Sequence, residues 1–262
     1  MSDRTSDLAR PVVGSETPSI IEASWDIPSN VVAFTTTRSG GVSKSPYTSL
    51  NLAGHVDDDI IAVEKNRCVL ENSRAENLKF QWLRQEHGTR VVDVGSCAGL
   101  PQADGLIASE SGVACCVLTA DCLPIFLASS EGDEVAILHA GWRGLLAGII
   151  ESGVAKMRTR AGQLSAWLGP AIGPCHFEVG PEVAAAFLNK TGSVVFEDCF
   201  VAVDLDRKYM ANLYAIARRQ LDACGIIDIS GGDFCTHCES EQFFSYRRDG
   251  ITGRMANIIY CR

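Results

Sequence analysis

Histidine and cysteine are the residue types of this chain best suited to metal or nucleophilic chemistry, and there are five and eleven of them. His87 lies in QEHGTR, Cys122 in TADCLP and His139 in ILHAGWRG. Each lies where a strand-like segment meets a turn containing glycine or proline, which is where α/β proteins place reactive side chains. Two imidazoles and one thiolate suit Zn²⁺, and three protein ligands leave a fourth position for water. This composition is typical of a catalytic zinc site.

The spacing of the three residues leaves alternatives open. They are far apart in sequence, and no short zinc-finger motif is present. A buried cysteine beside two hydrogen-bonded histidines, with no metal, would give the same sequence pattern. Cys122 could also act as a nucleophile, with His139 or His87 as its base. A metal-stabilised binding module without catalytic activity is a further alternative.

A Cys-x-x-Cys motif, Cys235 to Cys238 in CTHC, is the other candidate for metal or redox chemistry. It has no second Cys-x-x-Cys and no downstream histidine pair at finger spacing. It also lacks the helix-start context of a redox motif. We therefore expect reduced cysteines beside a strand, and we expect Cys175, in IGPCHF, to be structural.

Arginines next to glycine-rich turns are candidates for binding phosphate. Arg143 opens an expected helix over residues 144–160, where free backbone N–H groups and a guanidinium would bind an anion. Capping of the turn, or a surface ion pair, is the alternative. Arg38, in TTRSGG, lies in a glycine loop. Arg247 and Arg248, in FFSYRRDG, form a third basic candidate, of which one is expected to pair with the neighbouring aspartate.

Two further polar residues are candidates for roles beside these. Asp121 precedes Cys122 and could carry a proton or orient a histidine. Asn51 could make a polar contact with substrate.

Length and composition exclude several classes of protein. The 262 residues are 46% hydrophobic and 21% charged, which is ordinary for a globular chain. The net charge of −9 argues against a nucleic-acid or anionic-membrane partner. The most apolar stretch is interrupted by Asp121 and Pro124, so it is not a membrane span. An odd number of cysteines without disulfide spacing, and no apolar leader, predict reduced thiols in the cytoplasm. A homodimer is compatible with these properties.

The elements that must position these residues alternate between strand and helix. Helices are expected over 60–73, after an aspartate cap, over 144–160, from Pro181 and over 206–223. Buried strands are expected at 31–34, 90–94, 113–117, 123–127, 135–138, 166–168, 226–229 and 258–260. We predict a mobile tail over residues 1–18 and a single α/β domain over 19–262, of α+β type with mixed sheets.

Seven segments in order resemble a known family: TTRSGGVSKSPYTSLNLAGHVDDD, QEHGTRVV, QADGLI, TADCLPIF, HAGWRG, GPAIGPCHFEVG and FFSYRRDGITGRMANII. The chain is similar to the YfiH-like purine nucleoside phosphorylases, formerly labelled multicopper polyphenol oxidase (laccase) domain. The resemblance implies layered mixed sheets flanked by helices, in a fold related to the CNF toxin deamidase. It implies a zinc site of His87, Cys122 and His139. It also implies phosphorolysis of adenosine, inosine and methylthioadenosine, with adenosine deamination.

The mechanism that this implies has two parts. Zinc would acidify a water for attack at purine C6. Arg38, Arg143, and Arg247 or Arg248, with Asn51, would hold phosphate against the sugar, so that purine nucleoside and phosphate are the expected partners. A cysteine hydrolase or a cell-wall precursor editing enzyme using Cys122 remains the alternative.

A copper polyphenol oxidase is the weakest alternative. A four-copper set needs about ten histidines, and this chain has five. Cu²⁺ in the zinc site would be adventitious or an alternative metal.

Overall fold

Two β-sheets stacked face to face form the centre of the computed structural model, which describes residues 17–190, 194–203 and 208–262. The first sheet has the strand order β1-β2-β14-β6-β3 and the second the order β13-β9-β7-β8-β5-β4. A small third sheet has the order β10-β12-β11. The strands are β1 Ile20–Glu22, β2 Val31–Thr36, β3 Lys79–Gln81, β4 Val91–Asp93, β5 Gly105–Ala108, β6 Val113–Thr119, β7 Leu123–Ser129, β8 Val135–Ala140, β9 Leu164–Leu168, β10 Glu178–Val179, β11 Phe200–Ala202, β12 Tyr209–Ala211, β13 Asp228–Gly231 and β14 Met255–Cys261.

Helices cover the outer faces of the two large sheets. In the described residues the helices are α1 Ile60–Asn72, α2 Trp142–Ala147, α3 Ile149–Lys156, α4 Pro181–Leu188, α5 Leu213–Ala223 and α6 Tyr246–Asp249. Leu70 of α1 packs with Phe34 and Tyr260 on the first sheet. Ile150 of α3 and Leu221 of α5 pack against the second sheet. The order of layers is therefore helix, sheet, sheet, helix.

The period of two along each strand explains why both faces of the sheets are apolar. On β6, Cys115 and Val117 lie between the sheets, whereas Cys116 faces the layer that contains α1. On β8, Ile137 lies between the sheets. His139, two residues further, has the same side-chain parity and is 3% exposed. The strand therefore directs this histidine into the layer between the sheets, at its end.

The predicted mixed α/β fold is confirmed, with both parallel and antiparallel pairs in each large sheet. Helix α1 begins after Asp59, whose side chain accepts a hydrogen bond from the backbone of Ile61. The helix predicted over 144–160 is wrong as a single element, because Gly148 adopts φ 99° and divides it into α2 and α3.

The helix predicted over 206–223 begins at Leu213, after β12; residues 206 and 207 lie outside the described residues. Residues 1–16 of the predicted tail also lie outside the described residues. Within the described ranges, no helix is long and apolar enough to cross a membrane.

Candidate metal and catalytic site

His87, Cys122 and His139 meet at one edge of the second sheet. Their ligand atoms all lie within 4.8 Å of one another. The two imidazole rings are 4.7 Å apart between centroids and meet edge to face, with an interplanar angle of 73°. His139 is buried, Cys122 is half-buried and His87 is exposed. The group is therefore open to solvent on the side of His87 and closed on the side of His139.

Cys122 lies where the chain crosses from the first sheet to the second. It follows β6 and precedes β7, so a turn of three residues joins the two layers. Asp121 in this turn adopts φ 99°, a left-handed conformation that is uncommon outside glycine. Its carboxylate accepts hydrogen bonds from the hydroxyl of Thr236 at 2.6 Å and the backbone N–H of Arg247 at 2.6 Å. Both bonds hold the strained turn in place.

Asp104, directly before β5, orients both histidines. Its Oδ1 accepts a hydrogen bond from Nδ1 of His139 at 2.8 Å. Its two oxygens also accept the backbone N–H groups of His87 at 2.9 Å and Gly88 at 2.7 Å. His87 is held at φ 61°. Because Asp104 engages Nδ1, His139 presents Nε2 to the cysteine, and this is the arrangement by which carboxylates fix metal-binding histidines.

The charges of the group reinforce one another. Burial raises the pKa of the Cys122 thiol, but the charges and hydrogen bonds of His139 and His87 together outweigh burial and lower the pKa to about 6. Burial lowers the pKa of His139, but Cys122 and Asp104 outweigh it and raise the pKa to about 9. Without a metal, the pair is a thiolate beside an imidazolium at neutral pH. A thiolate is the form that binds metal or attacks an electrophile.

Gly141 leaves the space in which the three ligands meet. A Cβ built on it would lie 2.9 Å from Sγ of Cys122 and 3.2 Å from Cδ2 of His87. The first distance is shorter than real Cβ contacts allow. Only glycine therefore lets the chain pass the thiolate at this point.

The structure separates the predicted phosphate-binding residues into two groups. Arg38 donates from Nε to the carbonyl of Thr48 and from Nη1 to that of Ser240. Arg248 forms a bidentate ion pair with Asp249, which confirms the pairing predicted for one of the two adjacent arginines. Both guanidinium groups tie loops together.

Three other arginines are linked to the site by sequence, by a backbone contact or by charge. Arg143 is exposed, and its guanidinium lies 4.5 Å from the ring centroid of Trp142. Arg247 contacts Asp121 through its backbone, and its Nη1 donates to a backbone carbonyl at 2.8 Å. Burial lowers the pKa of Arg254, while the charges of Cys122 and Asp121 raise it. Arg254 therefore lies within electrostatic reach of both.

Asn51 has a place different from the substrate contact predicted for it. It is fully buried. Its amide nitrogen donates to Ala53 and Asp58, and its amide oxygen accepts the backbone N–H groups of Ala53 and Arg254. All of these bonds are internal, so the side chain organises the loop that leads to Arg254.

Sequence reasoning assigned no role to Asp104 or Arg254. Asp104 is the partner of His139 that Asp121 was expected to be. Both residues lie in segments that carry the family resemblance, QADGLI and TGRMANII. Two signals were available in the sequence. Asp104 is an acidic residue directly before a buried strand, and Arg254 lies between a glycine and a buried strand.

The Cys-x-x-Cys motif is the second place where the expectation was incomplete. Cys235 and Cys238 lie beside Cys175 and His176, and the four ligand atoms are within 4.8 Å of one another. These four residues could also hold a metal ion. The missing half of the motif is thus a Cys-His pair much earlier in the sequence.

Comparison with known proteins gives a consistent result over about nine-tenths of the chain. The family model described as multi-copper polyphenol oxidoreductase laccase matches residues 32–262. A protein of Haemophilus influenzae named purine nucleoside phosphorylase is 43% identical over 92% of this chain and 98% of its own. A Pseudomonas aeruginosa protein with the same activity in its name is 44% identical, over 90% of this chain and 96% of its own.

Solved structures have the same fold. The crystal structure of a Neisseria meningitidis protein superposes with a TM-score of 0.87 at 41% identity, covering 93% of this chain and 99% of that one. The Bacillus licheniformis protein YfiH superposes with a TM-score of 0.83 at 31% identity, over 88% and 93% of the two chains. The layered architecture is therefore shared with proteins of several bacteria.

Proposed function

This chain belongs to the multi-copper polyphenol oxidoreductase laccase family, and within that family we propose that it is a zinc-dependent purine nucleoside phosphorylase. The names of relatives that match it over nearly their whole length support this activity. We propose adenosine, inosine and methylthioadenosine as substrates, with deamination of adenosine as a second activity, in the cytoplasm. Nucleoside and inorganic phosphate are then its small-molecule partners.

The observation that carries the proposal is the group of His87, Cys122 and His139 with Asp104 behind it. The donor set fits Zn²⁺, because two imidazole nitrogens and a thiolate are ligands that this ion prefers. The space left by Gly141 beside the sulfur also fits an ion at this point. Zinc bound there would supply Lewis acidity at the open side of the site.

The protein residues have separate tasks in this proposal. Asp104 keeps the proton of His139 on Nδ1, so that Nε2 offers a lone pair to the metal. The same carboxylate fixes the backbone at His87. Asp121 receives two hydrogen bonds and is a positioning residue, which holds the turn that carries Cys122.

Phosphate is proposed to bind among Arg143, Arg247 and Arg254. Arg143 follows Gly141 closely, Arg247 contacts Asp121, and Arg254 interacts with the charges of Cys122 and Asp121. Guanidinium groups bind phosphate through charge-assisted hydrogen bonds. The bound phosphate would be held close to the anomeric carbon of the nucleoside.

Phosphorolysis then exchanges one bond for another. An oxygen of phosphate forms a bond to C1′ of the sugar as the bond between C1′ and the purine N9 breaks. The electron pair of that bond goes to the base, which takes up a proton, and ribose 1-phosphate leaves. Positioning and charge stabilisation account for most of the catalysis in such a reaction.

The test is an incubation of the zinc-loaded protein with adenosine, with and without phosphate, followed by chromatography. Adenine and ribose 1-phosphate that form only with phosphate are the expected products. Inosine formed in both samples would be the product of the deaminase activity. Absence of turnover by the zinc-loaded protein would overturn the proposal, as would full activity and full zinc content in Cys122→Ala.

A cysteine hydrolase is the second candidate, and one observation favours it. Cys122, His139 and Asp104 form a chain of thiolate, imidazole and carboxylate, which is the arrangement of an activated nucleophile. Editing of cell-wall precursors would be one such activity. A covalent adduct on Cys122 after incubation with substrate, detected by mass spectrometry, would support the hydrolase over the phosphorylase.

Copper oxidation is the activity in the family description, and we propose that it is not the main activity here. His176 and His237 stack on each other and are not members of the three-ligand group. A set of four coppers needs about ten histidines. Copper in the His87 site would give at most a weak oxidation, as a trace activity.

A further inference from the structure

We propose that Cys175, His176, Cys235 and Cys238 bind one structural Zn²⁺ ion, separate from the site of His87. The proposal rests on the geometry of these four residues and is independent of the activity proposed above. Four protein ligands close the coordination sphere of zinc, which is the pattern of a structural rather than a catalytic site.

Four of the six distances among the ligand atoms are close to the edges of a zinc tetrahedron. Nδ1 of His176 lies 3.2 Å from Sγ of Cys175 and 3.2 Å from Sγ of Cys238. Sγ of Cys175 lies 3.5 Å from Sγ of Cys238 and 3.7 Å from Sγ of Cys235. Tetrahedral bonds of ordinary length give edges of about 3.8 Å between sulfurs and about 3.5 Å between nitrogen and sulfur.

Neither hydrogen bonding nor a disulfide accounts for these four residues as well as a bound metal ion does. One nitrogen carries a single proton or a single lone pair, so Nδ1 of His176 cannot bond fully to two sulfurs at once. A disulfide would need sulfurs about 2.05 Å apart, and these cysteines are free. A central cation satisfies all four atoms together.

The sheet explains why residues distant in sequence meet here. Strands β9 and β13 are parallel neighbours, with Leu168 opposite Gly231. The segment with Cys175 follows β9, and the segment with Cys235 follows β13. Both therefore leave the same edge of the second sheet, as the carboxyl ends of parallel strands do.

Backbone contacts prepare the site for a thiolate. The backbone N–H of Gly173 donates to Sγ of Cys235 at 3.2 Å. A Cβ on Gly173 would lie 3.2 Å from this sulfur and 3.5 Å from that of Cys175. Such N–H donation and close approach are what orients the ligands of a metal site. The ring of His237 stacks on that of His176, with centroids 3.9 Å apart, and so supports the ligand without being one.

The ion would hold one wall of the first site. Thr236, between the two cysteines of the motif, donates its hydroxyl to Asp121, directly before Cys122. The carbonyls of Thr236 and His237 accept hydrogen bonds from Arg248. Zinc at the Cys-x-x-Cys motif therefore fixes the loop on which the turn at Asp121 depends.

Metal analysis of purified protein, prepared with reductant and without chelator, tests the proposal. We expect about two zinc ions per chain in the wild type, and about one in Cys122→Ala, in Cys175→Ser and in Cys238→Ser. Cys68→Ser, an exposed cysteine outside both groups, is the matched control and should keep about two. Wild-type zinc content in Cys175→Ser and Cys238→Ser would overturn the proposal.

Cobalt substitution keeps the test independent of whether the serine variants fold. In the Cys122→Ala background, Co²⁺ should give the strong sulfur-to-metal charge-transfer band of a site with three thiolates. Cys238→His, which keeps a ligand, should retain the metal with a weaker band. Absence of the band in Cys122→Ala would refute the site. An intact mass lower by two hydrogen atoms would do the same, because it would show a disulfide instead.

Discussion

Asp104 and His139 form a buried pair in which the carboxylate accepts the Nδ1 proton of the imidazole at 2.8 Å. The side chains of both are almost fully excluded from solvent. Because the same carboxylate also binds the backbone at His87 and Gly88, one residue sets the position of two of the proposed metal ligands.

Asp104→Asn should weaken zinc binding while leaving the fold in place. The amide keeps the shape of the side chain but loses the charge, and changes of this kind cost roughly 10–100-fold in metal affinity. Competition with a fluorescent chelator measures the affinity. Asp222→Asn, on the exposed part of α5, is the control. An unchanged affinity in Asp104→Asn would show that His139 does not need this partner.

Cys122 should react rapidly with iodoacetamide in the metal-free protein and slowly when zinc is bound. Its pKa of about 6 lies below the ordinary value of 9.0, so the thiolate predominates at pH 7 and is lost as pH falls through 6. The alkylation rate should follow that titration. Cys122→Ala identifies the signal of this residue among eleven cysteines. A rate that rises only above pH 8 would contradict the assigned thiolate.

Gly141→Ala should abolish activity and reduce metal content without unfolding the protein. The new Cβ would occupy the space beside Sγ of Cys122 and the ring of His87. Chromatography of the adenosine reaction measures activity, metal analysis measures metal content, and circular dichroism tests whether the fold is kept. Gly162→Ala is the matched control, since nothing lies within 4 Å of its Cβ position. Normal metal content in Gly141→Ala would mean that the ligands meet elsewhere.

Arg254→Gln should raise the KM for phosphate more than the KM for nucleoside. Loss of a hydrogen bond to a charged group costs about 1.5–3 kcal/mol, which corresponds to roughly 10–100-fold. Steady-state kinetics with each substrate varied in turn gives both constants. Arg158→Gln, which changes an exposed arginine between α3 and β9, should behave as the wild type. Equal effects on both substrates would remove Arg254 from the phosphate site.

Loss of the second metal should lower the thermal stability of the protein, while the first site keeps its metal. A loss of about 2 kcal/mol corresponds to roughly 4–8 °C in Tm for a chain of this size. Differential scanning calorimetry of Cys238→Ser against Cys68→Ser measures it. Identical Tm values would show that the ion, if bound, does not stabilise the loop.

Strands β6, β7 and β8 could be predicted from the sequence because they are long and apolar, whereas β5, which directly follows Asp104, was not predicted. The short strands β10 to β12 carry little apolar signal and were not predicted. The division at Gly148 depends on a left-handed backbone conformation, and Leu146 and Ile149 on either side keep helical spacing across it. Periodicity alone therefore favoured one helix.

Partners that are distant in sequence explain what was missed in the sites. Asp104 reaches His139 through the pairing of β5 with β8, where Gly105 lies opposite Leu138. The Cys-His pair reaches the Cys-x-x-Cys motif through the pairing of β9 with β13. A local sequence pattern does not reveal either strand register. The strand ends at His87, Cys122 and His139, in contrast, can be recognised from local patterns.

The crossing of the chain from β6 to β7 also determines when the first site can form during synthesis. Strand β6 is held between β3 and β14, and β14 comes far downstream of all three ligands. On the ribosome, the first sheet cannot be completed until β14 has emerged and paired. The ligand group would then be one of the last features to mature, and uptake of metal would mark chains whose two sheets have docked.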